Sequence, residues 1–232
     1  MKVLVTGATR GIGRAIAERF ASDGHEVYGT FVNSDYEAKQ LEKQGVRMFL
    51  SDVSSKSDVS SLYEKTGYVD VLVNNAGVSL REIFQNVTEE EENRLYGVNL
   101  FGPLNMIRRY LPDMINNKYG VIINISSVFG DVGGSMEVDY SASKASLIGL
   151  TKALAKEVGP SCVRVNCITP GIIDTDMNAN LSLEEVRDIV DCIPLESLGK
   201  AENVADAVAF LASESASYIT GAVIPVDGGW KG

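Results

Sequence analysis

The sequence predicts an α/β protein built on a doubly wound parallel sheet of about seven strands, with helices on both faces. Two observations carry this prediction. Short apolar segments rich in Val, Ile and Leu alternate with amphipathic helical segments along the whole chain, which is typical of a parallel sheet covered on both faces. The first apolar segment also passes through a glycine-rich turn directly into a helix, as a βα unit does.

Strands and helices are expected in regular alternation. The strands cover residues 2–6, 26–31, 46–50, 69–73, 120–126, 163–169 and 222–226, and the helices lie near 12–23, 35–44, 57–65, 88–116, 139–158, 182–191 and 201–212. Two of the helix starts have a recognisable local signal. Thr88 with Glu91, and Ser182 with Glu185, have the spacing of a capping box.

Nothing in the sequence divides the chain. It has no linker rich in Pro or Ser and no repeat, so one domain with a well-buried core is expected over residues 1–232. A long stretch at about 172–198 lies between the sixth strand and the last large helix. Because such excursions at the carboxyl edge of a parallel sheet usually cover the ligand crevice, we expect this segment to cover a substrate.

The charge balance and the rare residue types exclude several functions. The formal net charge of −10 and the pI of about 4.7 argue against nucleic-acid binding, which needs a basic face. No apolar stretch approaches the roughly 20 residues of a membrane helix, and no secretion leader precedes the first strand, so a cytoplasmic protein is expected. Cys162, Cys167 and Cys192 form no C-x-x-C pair and are expected as reduced thiols. His25 is the one histidine, so neither a Ser-His-Asp triad nor a metal site is predicted.

Three glycines follow the first strand. Gly7, Gly11 and Gly13 have the spacing G-x-x-x-G-x-G in the segment that opens the first helix. Bare backbone lets phosphates approach closely, and the helix N-terminus presents free N–H groups and the positive end of its dipole. The turn therefore predicts a site for a dinucleotide pyrophosphate. Taken alone, the motif is also compatible with a tight turn that binds nothing.

A tyrosine and a lysine share one helix face farther along the chain. Tyr140 and Lys144 are four residues apart on a predicted helix, so the phenol and the ammonium project the same way. Since a nearby cation favours the phenolate, we expect Lys144 to lower the pKa of Tyr140 toward working pH. A tyrosine of this kind gives a proton to a carbonyl oxygen or takes one from an alcohol.

Further residues at or near the expected strand ends make the Tyr140/Lys144 pair more informative than it is alone. They are Asp52-Val53, Asn74-Asn75-Ala76-Gly77, Asn99, Ser126-Ser127 and Pro170-Gly171. With the glycine turn and the Tyr140/Lys144 pair, and in this order, they make the chain resemble the short-chain dehydrogenase/reductase family over essentially its whole length. The resemblance implies a Rossmann-like fold and an oxidoreductase acting on C=O and CH–OH groups. It also implies a homotetramer, with the helices near 88–116 and 139–158 and the last strand at the interfaces.

Catalytic roles are also implied by the resemblance. Ser127 would hydrogen-bond the substrate carbonyl, with Ser126 as its rival, and Tyr140 would be the general acid in reduction. Lys144 would lower the pKa of Tyr140 and bind the nicotinamide ribose, while Asn99 would hold a water that links Lys144 to solvent. The catalytic residues predicted are Asn99, Ser127, Tyr140 and Lys144, and those predicted to meet the substrate are Ser127, Glu137 and Tyr140.

A nicotinamide dinucleotide is the implied cofactor, and the end of the second strand indicates which one. An acid there would bind the ribose 2′-hydroxyl of NAD and repel a 2′-phosphate. No acid follows the strand before Asp35, and Arg10 could pair with the phosphate, so NADP(H) is predicted. A slip of two residues would restore an acid and favour NAD. The residues predicted to bind the cofactor are Gly7, Thr9, Arg10, Gly11, Ile12, Gly13, Asn33, Asp52, Val53, Asn75, Ala76, Gly77, Tyr140, Lys144, Pro170, Gly171, Ile173 and Thr175.

Within the family, the segments 170–177 and 218–229 are most similar to those of 3-oxoacyl-acyl-carrier-protein reductases. This similarity implies reduction of a 3-oxoacyl thioester in fatty acid biosynthesis. One departure concerns the acidic carrier protein, because Ser161 stands where those reductases present a basic residue. The remaining candidates for docking charges are Arg108, Arg109 and Lys118.

A second departure leaves the substrate open. Glu137 and Asp139 stand where carrier-protein reductases usually have neutral residues. Two carboxylates near the crevice mouth would suit a cationic substrate, and this segment resembles reductases of an aminopentanone group on elongation factor P. Solvated charges at a helix start are the plainer explanation. A catalytically silent dinucleotide-binding or structural protein is the remaining hypothesis, against which the complete set of catalytic residues argues.

Overall fold

The structure, a computed structural model, describes residues 1–175 and 182–230, and its centre is a parallel sheet. The strands are β1 (Lys2–Val5), β2 (Glu26–Phe31), β3 (Val46–Leu50), β4 (Val71–Asn74), β5 (Gly120–Ile125), β6 (Val163–Pro170) and β7 (Val223–Val226). Their order across the sheet is β3-β2-β1-β4-β5-β6-β7, and all neighbouring pairs are parallel. The predicted doubly wound, Rossmann-like sheet is confirmed.

Helices connect these strands. In the described residues they are α1 (Gly11–Ser22), α2 (Asp35–Lys43), α3 (Lys56–Thr66), α4 (Glu89–Tyr96), α5 (Gly102–Asn117), α6 (Phe129–Val132), α7 (Val138–Val158), α8 (Leu183–Asp191) and α9 (Ala201–Ala212), with short 3₁₀ turns at Phe84–Asn86, Gly159–Ser161 and Glu214–Ala216. Both predicted capping boxes are present, at Thr88 and Glu91 before α4 and at Ser182 and Glu185 before α8. No helix in residues 1–175 and 182–230 is long and apolar enough to cross a bilayer.

The core lies on both faces of the sheet, because successive side chains of a strand point to opposite faces. Val3 and Val5 of β1 belong to one buried cluster with Phe20 of α1. Leu4 belongs to the other buried cluster, with Met106 of α5. This alternation explains why Val3, Leu4 and Val5 of β1 are apolar in succession.

The strand order reverses beside β1. The next two strands in sequence, β2 and β3, lie on one side of it, and β4 to β7 lie on the other. The connections that leave β1 and β4 therefore diverge, and a crevice opens at the carboxyl ends of these strands.

Residues 88–116 do not form the one continuous helix that their pattern predicts. A π-helical turn at Gly97–Phe101 separates α4 from α5. Pro103 contributes to the break, because it has no N–H to donate to the carbonyl of Asn99 four residues earlier. Glycine is also needed where α5 crosses the loop after β3, since a Cβ on Gly102 would lie 2.6 Å from Cγ2 of Val53.

The segment at about 172–198, which is expected to cover the crevice, begins and ends at neighbouring positions in the structure. The Asp174 N–H donates to the Gly199 carbonyl at 2.8 Å, and the Gly199 N–H donates to the Ile172 carbonyl at 3.0 Å. These bonds hold the two ends of the segment side by side, with α8 between them in sequence. Positions 176–177, part of the stretch that resembles the carrier-protein reductases, lie outside the described residues.

Candidate active site

A cleft of about 670 Å³ runs along the carboxyl ends of the strands, a volume typical of ligand pockets. The turns after β1 to β6 and one side of α4 form its walls. Every residue predicted to bind the cofactor lines this cleft, as do Ser126 and Ser127, whereas Asn99 and Glu137 do not. The fold thus brings together residues spread over most of the chain.

The turn after β1 is held in shape by the turn after β4. The Asn75 side-chain amide donates to the carbonyls of Thr6 and Gly7 at 2.9 and 3.1 Å. The Thr6 hydroxyl in turn accepts from the N–H groups of Asn75 and Ala76, each at 3.0 Å. Glycine is required at position 13, because a Cβ on Gly13 would lie 2.2 Å from the Gly7 carbonyl oxygen. The predicted phosphate turn is therefore a rigid structure.

The N-terminus of α1 opens on this turn with its positive dipole end uncompensated. The helix begins at Gly11, and its first turn contains no acid. Arg10, directly before it, is exposed and takes part in no ion pair within the described residues. The free N–H groups and the dipole end fit the pyrophosphate of a dinucleotide. The guanidinium of Arg10 beside them is a donor for a further phosphate group.

Tyr140 and Ser127 are neighbours in the cleft, Ser127 after β5 and Tyr140 in the first turn of α7. Each is 8% exposed. Burial raises the pKa of Tyr140 to about 12, and the hydrogen bond with the Ser127 hydroxyl acts in the opposite direction. The pKa of Tyr140 thus moves away from working pH, opposite to the direction that its spacing from Lys144 predicts, because burial disfavours the phenolate. The Lys144 ammonium lies 5.8 Å from the centre of the phenol ring.

Lys144 is buried beside Tyr140. Burial lowers the pKa of its ammonium to about 8. The ammonium donates to the Ile125 carbonyl at 3.0 Å, and its other N–H donors make no hydrogen bond within the described residues. A Cβ on Gly77 would lie 3.2 Å from Nζ, so the glycine after β4 keeps the space beside the ammonium open.

The structure separates the two candidate serines. The Ser126 hydroxyl donates to the Lys144 carbonyl at 2.7 Å and thereby ties the end of β5 to α7. The Ser127 hydroxyl instead accepts from the Phe129 N–H at 3.2 Å and interacts with Tyr140. Of the two hydroxyls, that of Ser127 is the one placed beside the phenol.

Asn99 lies behind this group and not in the cleft. Its Oδ1 accepts from the Val78 N–H at 2.9 Å, and its Nδ2 donates to the Val78 carbonyl at 2.9 Å and to the Ser143 hydroxyl at 3.1 Å. These bonds use both N–H groups of the side-chain amide. The backbone carbonyl of Asn99, which Pro103 leaves without the usual helical donor, is an acceptor available to a water.

The two carboxylates before Tyr140 do not form an open anionic mouth. Asp139 is buried and accepts from the Tyr96 hydroxyl at 3.1 Å; burial, and then this carboxylate, raise the pKa of Tyr96 to about 12. Burial likewise raises the pKa of Glu137, and the charge of Arg81 acts against that shift. The expectation of two carboxylates facing a substrate is wrong for Asp139, and Glu137 has a cation nearby.

Part of the cleft wall had no counterpart in the sequence prediction. Asn93, Arg94, Gly97 and Val98 line it from α4 and the π-helical turn. Their spacing places them on one helix face, within two turns of Asn99. This helical spacing from Asn99 could have identified them in the sequence. The other unpredicted lining residues are Thr30, Phe31, Val32, Ser34, Ser51, Ser54, Val78 and Ile125.

An aromatic pair flanks Ser127. The rings of Phe129 and Trp230 meet edge to face, with centroids 5.7 Å apart and an interplanar angle of 70°. Because the Phe129 N–H also donates to the Ser127 hydroxyl, this pair connects the end of the described chain to the candidate catalytic serine.

A phosphate-binding turn where the strand order reverses, continuous with a buried Ser–Tyr–Lys group, defines a Rossmann-like, dinucleotide-dependent oxidoreductase. Comparisons with known proteins agree with this class. A family model described as enoyl-(acyl carrier protein) reductase matches residues 7–231. Over 237 residues the chain is 44% identical to 3-oxoacyl-acyl-carrier-protein reductase FabG of Aquifex aeolicus, and 97% of this chain and 95% of that protein are covered.

Solved structures give the same result. A 3-oxoacyl-acyl-carrier-protein reductase of Brucella melitensis superposes with a TM-score of 0.94 and 34% identity, covering 100% of this chain and 91% of its own. A second structure of such a reductase from that organism, with bound NAD, has a TM-score of 0.92, 34% identity and the same coverage. The chain belongs to the short-chain dehydrogenase/reductase family, whose members oxidise or reduce hydroxyl and carbonyl groups.

Proposed function

We propose that this chain is an NADPH-dependent reductase that converts a 3-oxoacyl thioester, carried by acyl carrier protein, to the 3-hydroxyacyl form. The observation that carries the proposal is the contact of Ser127 with Tyr140 beside the buried Lys144, in a cleft that also contains the phosphate turn. The names of the relatives support the substrate class.

The chain's own residues suit the reduction of a carbonyl. The dinucleotide, when bound, supplies the hydride to the carbonyl carbon. Tyr140, whose pKa of about 12 keeps it protonated near neutrality, gives its proton to the carbonyl oxygen. Ser127 holds that oxygen by a hydrogen bond, and Lys144 contributes positive charge where the oxygen becomes negative.

Proton resupply to Tyr140 is the proposed role of the residues behind it. Lys144 lies next to the phenol, and Asn99 lies behind Lys144 with its side chain bound to Val78 and Ser143. We assign the water-holding role of Asn99 to its backbone carbonyl, because Pro103 has no N–H for it. The buried side chain of Asn99 then serves to fix that carbonyl in place.

The preference for NADPH is supported by the end of β2. That strand ends at Phe31, and Asn33 and Ser34 line the cleft, whereas Asp35 begins α2 and does not line it. A 2′-phosphate would meet an amide, a hydroxyl and the guanidinium of Arg10 there, and no carboxylate.

No observation in the structure favours the cationic substrate over the acyl thioester. The hypothesis of an aminopentanone group on elongation factor P depended on two open carboxylates. Asp139 is buried against Tyr96, and the charge of Arg81 acts on Glu137. A carbonyl next to an uncharged chain is consequently the simpler fit.

We further propose a homotetramer in the cytoplasm. Ala142, Ala145, Gly149 and Ala153 are exposed at helical spacing along α7, and small residues allow another helix to approach closely. Phe101 before α5 is also 54% exposed, so both helices that the family resemblance places at interfaces offer surface for contact. The free thiols of Cys162, Cys167 and Cys192 suit a reducing compartment.

The first experiment follows the oxidation of NADPH by the purified chain with acetoacetyl-CoA, a short 3-oxoacyl thioester. NADH and a plain cyclic ketone are measured in parallel. Rapid thioester turnover that prefers NADPH is expected. Slow thioester turnover with normal NADPH binding would contradict the substrate assignment, and equal kcat/KM with NADH would contradict the cofactor preference.

Tyr140→Phe tests the proton donor. The variant keeps the ring and loses the proton, so turnover should fall about 10²- to 10⁴-fold, the usual contribution of general acid catalysis. NADPH binding, measured by calorimetry, should be retained. Unchanged turnover would remove Tyr140 from the mechanism.

A further inference from the structure

We propose that Arg94 binds the adenine ring of the dinucleotide by stacking its guanidinium plane on the base. The proposal rests on the proposed function, because it assigns one part of the same cofactor. It concerns the face of α4 that lines the cleft.

The direction in which a dinucleotide must lie follows from the strand order. Its reacting end has to meet Ser127 after β5, and its phosphates have to lie at the N-terminus of α1 after β1. The adenosine end must then lie on the other side of β1, over the ends of β2 and β3. Residues 30–34 and 51–54 line the cleft there.

The start of α5 and the turn before it close this adenosine end. A Cβ on Gly97 would lie only 3.6 Å from the Cβ of Ser54. The Asn105 side-chain amide also donates to the carbonyls of Val53 and Ser54, at 3.1 and 3.3 Å. Arg94 precedes Gly97 by about one turn and lines the same cleft, so it stands beside the loop after β3 and at the adenosine end.

Arg94 is available for a ligand. It is exposed, and its guanidinium takes part in no ion pair or hydrogen bond within the described residues. Glu91, three residues earlier on α4, is instead bound to Thr88 in the capping box. Within the described residues, Arg94 and Arg10 are the two arginines that line the cleft, and neither is held in an ion pair that would keep it from a bound ligand.

The adenine ring is the group that Arg94 fits. The ribose 2′-phosphate belongs at the end of β2, with Asn33, Ser34 and Arg10, because the 2′-hydroxyl is read there in proteins of this fold. The base extends beyond the ribose toward the loop after β3. A planar guanidinium stacks on an aromatic face, which the ammonium of a lysine does far less well.

The test measures the Kd of NADPH and of NADH by calorimetry for the full chain and four variants. Arg94→Ala should raise both constants by the same factor, about fivefold for a partly exposed cation–π contact. In Arg94→Lys, each Kd should still exceed the wild-type value, and the rise in its logarithm should be more than half of the rise that Arg94→Ala causes. Arg10→Ala should weaken NADPH alone. Lys65→Ala, which removes a cation from an exposed position of α3 outside the cleft, should change neither constant.

The other possible outcomes would overturn either this proposal alone or the proposed function as well. An Arg94→Ala variant that weakens NADPH alone would assign Arg94 to the phosphate, and one that changes neither constant would leave it without a ligand; both overturn the proposal. Wild-type affinity in Arg94→Lys would show charge attraction without stacking and also overturn it. A wild-type chain that binds neither nucleotide would refute the proposed function itself, together with this inference.

Discussion

Tyr140 and Lys144, the two titrating residues of the candidate site, respond to burial in opposite directions. Burial raises the pKa of Tyr140 to about 12 and lowers that of Lys144 to about 8, because it disfavours the charged form of each group. Near neutral pH the site therefore contains a neutral phenol next to a charged ammonium. That is the pair of protonation states that carbonyl reduction by a proton donor requires.

A pH profile is predicted from Lys144. The kcat/KM for NADPH reports the free enzyme, and the ammonium loses its proton as the pH rises through about 8. We therefore expect kcat/KM to decline above that pH, measured from pH 6 to 10 in buffers of constant ionic strength. Arg remains charged over this range, so Lys144→Arg, where it folds, should lose the decline. A flat wild-type profile to pH 10 would contradict the prediction.

The same lowered pKa has a consequence for stability. An unfolded Lys144 has its ordinary pKa of 10.5, so between about 8 and 10.5 the unfolded chain binds more protons than the folded one. The contribution of Lys144 to the free energy of unfolding consequently rises with pH in that window, and the cost of its buried charge is fully present below it.

Between elements, a chain of buried amides joins the sheet to the helix that carries Tyr140 and Lys144. The Asn74 amide on β4 donates to Asn124 on β5 at 2.9 Å, and the Asn124 amide donates to the Thr151 hydroxyl on α7 at 2.9 Å. Because buried polar groups cost free energy unless they are paired, these bonds favour one position of α7 on the sheet.

Asn124→Ala should show this coupling. It leaves the amide of Asn74 and the hydroxyl of Thr151 without their partner, and the expected loss is about 2–3 kcal/mol in the free energy of unfolding. Urea unfolding followed by circular dichroism measures it. Asn116→Ala, at an exposed position of α5, is the control and should cost less than about 0.5 kcal/mol. Equal midpoints for the two variants would refute the role of the buried amides.

The turn after β1 offers a second test at this scale. In Gly13→Ala the new methyl would overlap the Gly7 carbonyl and would lie 2.4 Å from the Asn75 amide nitrogen. The turn must shift, so we expect a loss of about 1–3 kcal/mol and much weaker NADPH binding. Ser22→Ala at the other end of α1 should leave both nearly unchanged. Wild-type stability and affinity in Gly13→Ala would show that the turn is less rigid than described.

Local periodicity and glycine spacing predicted the sheet, the order of the elements and the turn after β1, and the family resemblance predicted most of the residues that line the cleft. The sequence could not predict effects that depend on contacts between distant residues. The bond from Tyr96 to Asp139 joins residues 43 positions apart, and the raised pKa of Tyr140 depends on how the assembled fold excludes solvent. The π-helical turn escaped prediction because a glycine and a proline are compatible with a merely kinked helix.

At the scale of the whole molecule, assembly can be tested through α7. The proposed tetramer should have about four times the chain mass of 25.0 kDa in light scattering after gel filtration. Gly149→Arg places a long charged side chain on the exposed small face of α7 and should give a smaller species. Ser61→Arg, at an exposed position of α3, is the matched control and should leave the mass unchanged. A monomeric wild-type chain at micromolar concentration would refute the assembly.

Trp230 gives the molecule an intrinsic optical reporter. It is the one tryptophan of the chain, and its ring contacts Phe129, whose N–H is bound to the Ser127 hydroxyl. Tryptophan emission overlaps the absorption of a reduced nicotinamide, so excitation energy can pass from Trp230 to bound NADPH. Cofactor arrival near Ser127 would then be visible in unlabelled protein as quenched indole fluorescence with sensitised nicotinamide emission, on the timescale of a stopped-flow mixing experiment.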